Sequence, residues 1–190
     1  STDERTAIPS VWPRYGAGDT FLQMLPNVDA KLALCLLANL SSFAYDYAVR
    51  QKVGGTHLKY HYFKQMPILP PTAYDGTAPW DSSKPLSAWI ASRALELVYS
   101  SWAMKPLAED CGYKGPPFEW DNVHRFHIRC ELDAAFFYLY GIPQEDIPYI
   151  IDTFPIVKRK EEQNLGSYAT SSIILECCQP SLGNRPGVLP

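Results

Sequence analysis

The chain has 190 residues, of which 46% are hydrophobic and 19% charged, a composition that favours a packed core and excludes a largely disordered protein. Its formal net charge is −3 and its sequence pI is about 5.8. That balance argues against a free-standing nucleic-acid-binding protein, because such proteins are usually basic overall. Residues 1–71 nevertheless hold seven basic and five acidic residues, so one basic face within a larger complex is compatible with the composition.

The first 25 residues predict two short strands. Residues 6–12 and 20–25 are extended runs, and the glycine-containing stretch 15–19 predicts a turn between them. The chain starts with Ser1 rather than methionine, and no apolar signal segment follows. We therefore expect a piece of a longer protein, in which these strands complete a sheet that begins upstream.

Residues 29–52 predict one long, mostly buried helix. Apolar side chains recur at steps of four and three, at Leu32, Leu36, Leu40, Phe43 and Tyr47. Asn27 and Asp29 are candidate N-caps, and Gly54 with Gly55 predicts a left-handed stop after Lys52. The helix is too short, and too interrupted by polar residues, to span a membrane, which requires about 20 apolar residues.

Residues 50–71, which we call the basic loop, combine backbone freedom, positive charge and aromatic rings. Two glycines start the loop, a short helical turn is expected at 59–65, and an exit strand at 66–69. Lysine beside phosphate provides affinity for a nucleic acid, and side chains that reach base edges provide sequence preference. Two interpretations stay open, a nucleic-acid-binding loop and a helix stop beside an ordinary solvated basic face.

The remainder of the chain predicts a helical extension. A proline-rich joint is expected at 72–85, followed by helices at 86–104, 120–140, 143–154 and 167–178. Residues 179–190 are rich in proline and glycine and predict a frayed tail. The predicted fold class is therefore α+β and predominantly helical, with a small β-sheet and a long buried helix in residues 1–71 and helices in 86–178.

Catalytic and metal motifs are mostly missing from the sequence. The stretch 115–118 contains Pro-Pro-Phe but lacks the amide or carboxylate that an adenine-N6 methyltransferase places before it, and no Glu-x-Lys nuclease triplet occurs. His124, His127 and Cys130 share one side of a helix, a pattern more typical of a packed face than of a metal site. Glu131 and Asp133 are interpreted as solvent-exposed or locally ion-paired carboxylates. The five cysteines are odd in number and irregularly spaced, which predicts free thiols in a reducing, cytoplasmic setting.

A string around the basic loop resembles a known family. The string comprises Asn39-Leu40, Ser42-Phe43, Asp46-Tyr47, Arg-Gln-Lys-Val-Gly-Gly-Thr at 50–56, Leu58, and Gln-Met-Pro-Ile-Leu-Pro-Pro at 65–71. It is similar to the end of the target-recognition region of adenine-N6 DNA methyltransferases of the type IIG restriction-modification kind, and the similarity spans most of residues 4–176. Tyr-Ala-Thr-Ser-Ser at 168–172 departs from the basic pattern of that family.

The resemblance implies a non-catalytic DNA-recognition fragment of a restriction-modification or phage-defence enzyme. The expected partners are double-stranded DNA and an upstream methyltransferase domain of the same chain, with no membrane. The fragment itself is expected to need no metal or cofactor, whereas the parent protein would use S-adenosylmethionine. The candidate DNA-binding residues are Arg14, Arg50, Lys52, Gly54, Gly55, Thr56, His57, Lys59, Tyr60 and Lys64. A scaffold that links the methyltransferase to another module, or a helical enzyme with an unfamiliar site, are the alternatives.

Overall fold

The computed structural model describes residues 3–13, 15–18, 21–54 and 58–178. Within them the helices are α1 (Ala30–Ser41), α2 (Phe43–Lys52), α3 (Tyr60–Phe63), α4 (Leu86–Val98), α5 (Lys105–Asp110), α6 (Asn122–Leu139), α7 (Ile147–Asp152), α8 (Pro155–Leu165) and α9 (Ala169–Cys177). The strands are β1 (Thr77–Ala78) and β2 (Asp81–Pro85), which pair antiparallel. The predicted fold class, mostly helical with a small sheet, is confirmed.

The predicted single helix at 29–52 is wrong, because the chain breaks at Ser42. Ser42 has an extended backbone, with φ −73° and ψ 152°. Its hydroxyl donates to the Asn39 carbonyl at 2.8 Å and accepts the Tyr45 N–H at 3.2 Å. A serine side chain that competes for backbone groups in this way favours a helix boundary. The result is two helices, α1 and α2, that meet at 59°.

Among the described residues, no single helix is both long enough and apolar enough to cross a membrane. One pair of described helices, α1 and α2, meets the length and hydropathy criteria when the two are taken together across their bend.

The small sheet lies in a different place from the one predicted. The described parts of 6–12 and 20–25 form no strand, and neither does 66–69. Proline explains part of this difference, because Pro9 and Pro13 have no N–H to donate to a sheet. The sheet forms instead inside the predicted proline-rich joint, where Ala78 pairs with Asp81 across a tight turn. Gly76, with φ 87°, directs the chain into β1.

Three buried clusters hold the helices together. The largest joins α1, α4 and α6 through Leu34, Ile90 and Phe136, and it also includes Tyr74 from the segment after the basic loop. Residues on both sides of 72–85 therefore share one core. A second cluster joins α2, α6, α7 and α9, and a third, which we call the anchor cluster, contains Ala7, Leu40, Tyr45, Val49 and Met66. Burial of each large apolar side chain stabilises the fold by about 1.5–3 kcal/mol.

Asn39 is a fully buried polar group that joins three parts of the fold. Its amide nitrogen donates to the Tyr140 hydroxyl at 2.8 Å, and its oxygen accepts the Leu69 N–H at 3.1 Å. The Tyr140 hydroxyl donates in turn to the Pro67 carbonyl at 2.6 Å. Asn39 thus connects the end of the basic loop to α1 and to the end of α6.

We expect Asn39→Ala to lower the free energy of unfolding by about 2–4 kcal/mol, because it leaves the Leu69 N–H and the Tyr140 hydroxyl without their buried partner. Urea denaturation followed by circular dichroism measures the change. Asn164→Ala, at an exposed position in α8, is the matched control and should shift stability by less than about 0.5 kcal/mol. Equal midpoints for the two variants would contradict the proposed role of Asn39.

Candidate nucleic-acid interface

The basic loop carries its positive charges on the outside of the molecule. Lys52, Lys59 and Lys64 are all exposed. None of the three forms an ion pair with any residue in the described ranges. They follow one another around the end of α2 and the two ends of α3, where Lys59 is the N-cap residue and Lys64 the C-cap residue. These cations are therefore available to a partner.

The opposite side of the basic loop is attached to the anchor cluster. Met66 is buried there, and Val53, Leu58, Phe63 and Ile68 pack against it. The backbone of α3 is closed by hydrogen bonds from Phe63 to Lys59 and from Lys64 to Tyr60, each 3.0 Å. The apolar side chains of the loop are thus packed against the protein, while its lysines are exposed.

Tyr60 lies between the lysines with 52% of its surface exposed. Its hydroxyl donates to the Gln23 carbonyl at 3.1 Å, which links the basic loop to the first segment of the chain. The ring is thereby fixed at its polar end while its faces stay accessible to a partner.

Gly54 does not have the left-handed backbone conformation that was predicted for a helix stop, because its φ is not positive. Helix α2 ends at Lys52, and its C-cap residue is Val53. Val53 is extended and donates its N–H to the Val49 carbonyl. A Cβ at Gly54 would meet no heavy atom within 4 Å, so open space lies next to this backbone. The other predicted DNA contacts, Arg14, Gly55, Thr56 and His57, lie outside the described residues.

Arg50, a predicted DNA contact, is occupied by contacts within the protein. Its Nη1 donates to the Thr153 carbonyl and its Nη2 to the Glu4 carbonyl, both at 2.9 Å. Its Nε lies 3.5 Å from the Asp46 carboxylate, and the guanidinium stacks over the Phe154 ring at 4.0 Å. The side chain is only 18% exposed. A phosphate contact by Arg50 would require several of these contacts to break, so we assign it a structural role.

Asp46 has a similar structural role. It is 1% exposed and accepts the N–H groups of Thr6 at 3.0 Å and Ala7 at 2.7 Å. These bonds give partners to backbone donors that a strand would otherwise pair. The Asp46 carboxylate therefore fixes the first segment of the chain to α2.

Asp133 was interpreted from sequence as solvent-exposed or locally ion-paired, but it is buried and bound to distant parts of the chain. It is 5% exposed, accepts the Phe43 N–H at 2.7 Å and lies 3.5 Å from Nη2 of Arg5. The Arg5 guanidinium lies over the Phe43 ring at 3.4 Å. The sequence contains one signal for this arrangement, a single carboxylate between Leu132 and Ala134 on a helix face. Glu131, by contrast, pairs with Arg93 at 2.6 Å as a partly exposed ion pair.

The histidine and cysteine stripe of α6 is not the packed face that its spacing predicts, because His127 is exposed and His124 is only half-buried. His124 contacts the Glu96 carboxylate at 2.5 Å, whereas Cys130 is buried in the second cluster. No group of three His, Cys, Asp or Glu side chains suited to a metal ion occurs among the described residues. None of the five cysteines, all of which lie in the described residues, forms a disulfide.

No known protein family, no curated protein and no solved structure matches this chain. The resemblance of residues 4–176 to adenine-N6 DNA methyltransferases therefore stays a prediction from the string around the basic loop.

Asp133 predicts an unusual dependence of stability on pH. Burial raises the pKa of its carboxyl to about 6, against the opposing effects of Arg5 and the Phe43 N–H. A folded-state pKa above the unfolded value means that the native protein binds the extra proton, so this stabilisation is present below about pH 4 and is lost as the pH rises to about 6. The difference between a folded-state pKa of about 6 and the ordinary value for an aspartate corresponds to about 3 kcal/mol.

We expect the stability of the wild-type protein relative to Asp133→Asn to fall by about 3 kcal/mol between pH 3.5 and pH 7. Asparagine keeps an acceptor for the Phe43 N–H and cannot ionise, so the difference isolates the carboxyl. Urea unfolding at a series of pH values measures it. The opposite result, in which the wild-type protein becomes more stable relative to Asp133→Asn as the pH rises, would contradict this prediction. It would show that the ion pair with Arg5 outweighs the cost of burying the Asp133 carboxylate.

Proposed function

We propose that this chain is a DNA target-recognition region of an adenine-N6 DNA methyltransferase from a restriction-modification or phage-defence system. The observation that carries the proposal is a set of three exposed lysines that form no ion pair with a described residue. They lie on a loop that is attached to a buried cluster. The family-like string supplies the class of parent enzyme. In this function the chain binds double-stranded DNA and leaves catalysis to another domain.

Each lysine has a simple electrostatic task in the proposed complex. Lys52, Lys59 and Lys64 neutralise backbone phosphates and release condensed counterions, which favours binding most at low salt. The open backbone at Gly54 admits a sugar-phosphate chain, and the Tyr60 ring is positioned to approach a groove. The proposed contact set is completed, from the sequence alone, by Arg14, Gly55, Thr56 and His57. Arg50 has a structural role, because it binds the carbonyl groups of Glu4 and Thr153 inside the protein.

The remainder of the mechanism belongs to the proposed parent enzyme. A duplex held by the basic loop would lie against an upstream methyltransferase domain of the same chain, and S-adenosylmethionine would be bound there. Five cysteines that form no disulfide in the described structure accord with a reducing, cytoplasmic setting. Because the net charge is −3, we expect this chain to bind DNA weakly by itself and through one face.

A scaffold is the second candidate function, and one observation favours it. Several large apolar side chains are exposed along residues 8–28, at Ile8 (70%), Tyr15 (70%), Phe21 (57%) and Leu25 (88%). Exposed apolar surface of this kind is typical of a protein interface. A scaffold would bind its protein partner there and would show no salt-dependent binding of DNA.

We expect a Lys52→Ala/Lys59→Ala/Lys64→Ala variant to lose most of its affinity for duplex DNA at low salt. Loss of three phosphate contacts should reduce the slope of log K against log salt by about 2.7, since each contact contributes about 0.9. Fluorescence anisotropy with a labelled duplex, titrated at several salt concentrations, measures both quantities. The slope separates electrostatic contacts from a general loss of folded protein.

A second triple variant, Lys31→Ala/Lys84→Ala/Lys114→Ala, controls for net charge. These lysines are also exposed and form no ion pair with a described residue, but they lie outside the basic loop. Both variants lose three positive charges, so an equal loss of affinity would show a general charge effect. Unchanged affinity and slope in the loop variant would favour the scaffold.

A further inference from the structure

A cavity of about 190 Å³ lies between the first segment of the chain and helices α1, α4 and α6. Most of its wall is apolar and is formed by Leu37, Ala94, Leu97, Val98 and Leu132. An apolar protein cavity of about 150 Å³ is large enough to hold benzene. The space is therefore sufficient for one six-membered ring, or a short aliphatic chain, together with a small polar group.

Three charged residues contribute to the cavity lining. Arg5 and Arg129 each carry a guanidinium group, and Asp133 carries a carboxylate. The Asp133 carboxylate is already bound to the Phe43 N–H and paired with Arg5. Arg129 is exposed and forms no hydrogen bond or ion pair with any residue that the structure describes. The lining therefore has one excess positive charge, and Arg129 is the guanidinium that is available to a ligand.

The cavity lining also includes exposed polar residues. Ser10 from the first segment and Ser41 from the last turn of α1 both line the cavity, and both are exposed like Arg129. A ligand can thus enter with its apolar part directed towards Leu37 and Leu132 and its polar part next to Arg129. None of the residues proposed to contact DNA lines this cavity.

We propose that the cavity is a binding site for a small monocarboxylate with an apolar body. The ligand carboxylate accepts hydrogen bonds from the Arg129 guanidinium, whose planar fork suits a carboxylate, and the nearby charge of Arg5 adds attraction. The apolar walls cover the body of the ligand. One negative charge neutralises the excess positive charge, whereas a second would lie against apolar wall or beside Asp133, so dicarboxylates and phosphate should bind less well.

The first test compares ligands of equal shape and different charge. Benzoate and benzamide are titrated into the full chain at pH 7.5, and chemical-shift changes in two-dimensional NMR spectra give both the affinity and the location. We expect benzoate to bind at least about tenfold more tightly than benzamide, because only benzoate forms charge-assisted bonds to arginine. Equal affinities would overturn the proposal, and so would a lack of saturable binding at millimolar benzoate.

The second test uses a matched pair of arginine variants. Arg129→Gln should weaken benzoate binding about tenfold or more and leave benzamide unchanged, while Arg159→Gln, at an exposed position in α8, should have no effect. Unchanged circular dichroism spectra establish that both variants are folded. Benzoate binding that is equal in the two variants would place the anion elsewhere and overturn the assignment of Arg129.

Discussion

The fold depends on buried acceptors that hold irregular backbone against the helices. Residues 3–13 contain no strand, so their N–H groups have no sheet partner, and an unpaired buried N–H is costly. The Asp46 carboxylate supplies the partner for Thr6 and Ala7, and Asn39 does the same for Leu69 at the far end of the basic loop. Arg50 extends this network, because it reaches from α2 to the carbonyl groups of both Glu4 and Thr153. The first segment, the basic loop and the α7–α8 corner are therefore fixed around α1 and α2.

This arrangement divides the family-like string into two groups of residues. Asn39, Ser42, Asp46 and Arg50 bind backbone groups inside the protein, whereas Lys52, Lys59 and Lys64 extend away from it. Loss of a residue from the first group would move the loop, and loss of one from the second would remove only a charge. The resemblance to DNA-recognition regions therefore includes a structural component, and the proposed DNA contacts rest on the lysines rather than on the whole string.

The sequence predicted the helices where local signals agree with packing. Asp121 caps α6 by accepting the Val123 and His124 N–H groups, and Gly141 follows with φ 66°, close to the predicted limits of 120–140. The helix predicted at 143–154 is shorter in the structure, where it is α7. It begins at Ile147 because Pro148 is tolerated only in the first turn of a helix. Apolar periodicity did not reveal the break at Ser42, because the stripe continues on both sides of it.

Long-range pairing accounts for what the sequence could not predict. The partners of Asp133 are 90 residues away at Phe43 and further still at Arg5, and no local pattern relates these positions. The strands were expected where β-forming residues are frequent, yet β1 and β2 formed where Gly76 and the turn before Asp81 bring two short pieces together. At the candidate interface, the positive charge was readable from residue types, but the packing of the loop against the anchor cluster and the occupation of Arg50 by two distant carbonyl groups were not.

The net negative charge of the chain repels DNA, whereas the lysines of the basic loop attract it. At physiological ionic strength the Debye length is about 8 Å, so carboxylates far from the loop have little effect on a phosphate bound beside Lys59. At lower salt the range of the field increases, and the net charge of −3 then repels the same polyanion that the lysines attract. The attraction by Lys52, Lys59 and Lys64 offsets this repulsion where DNA approaches the basic loop. In the proposed function, the loop thus favours one orientation of DNA beside a catalytic domain.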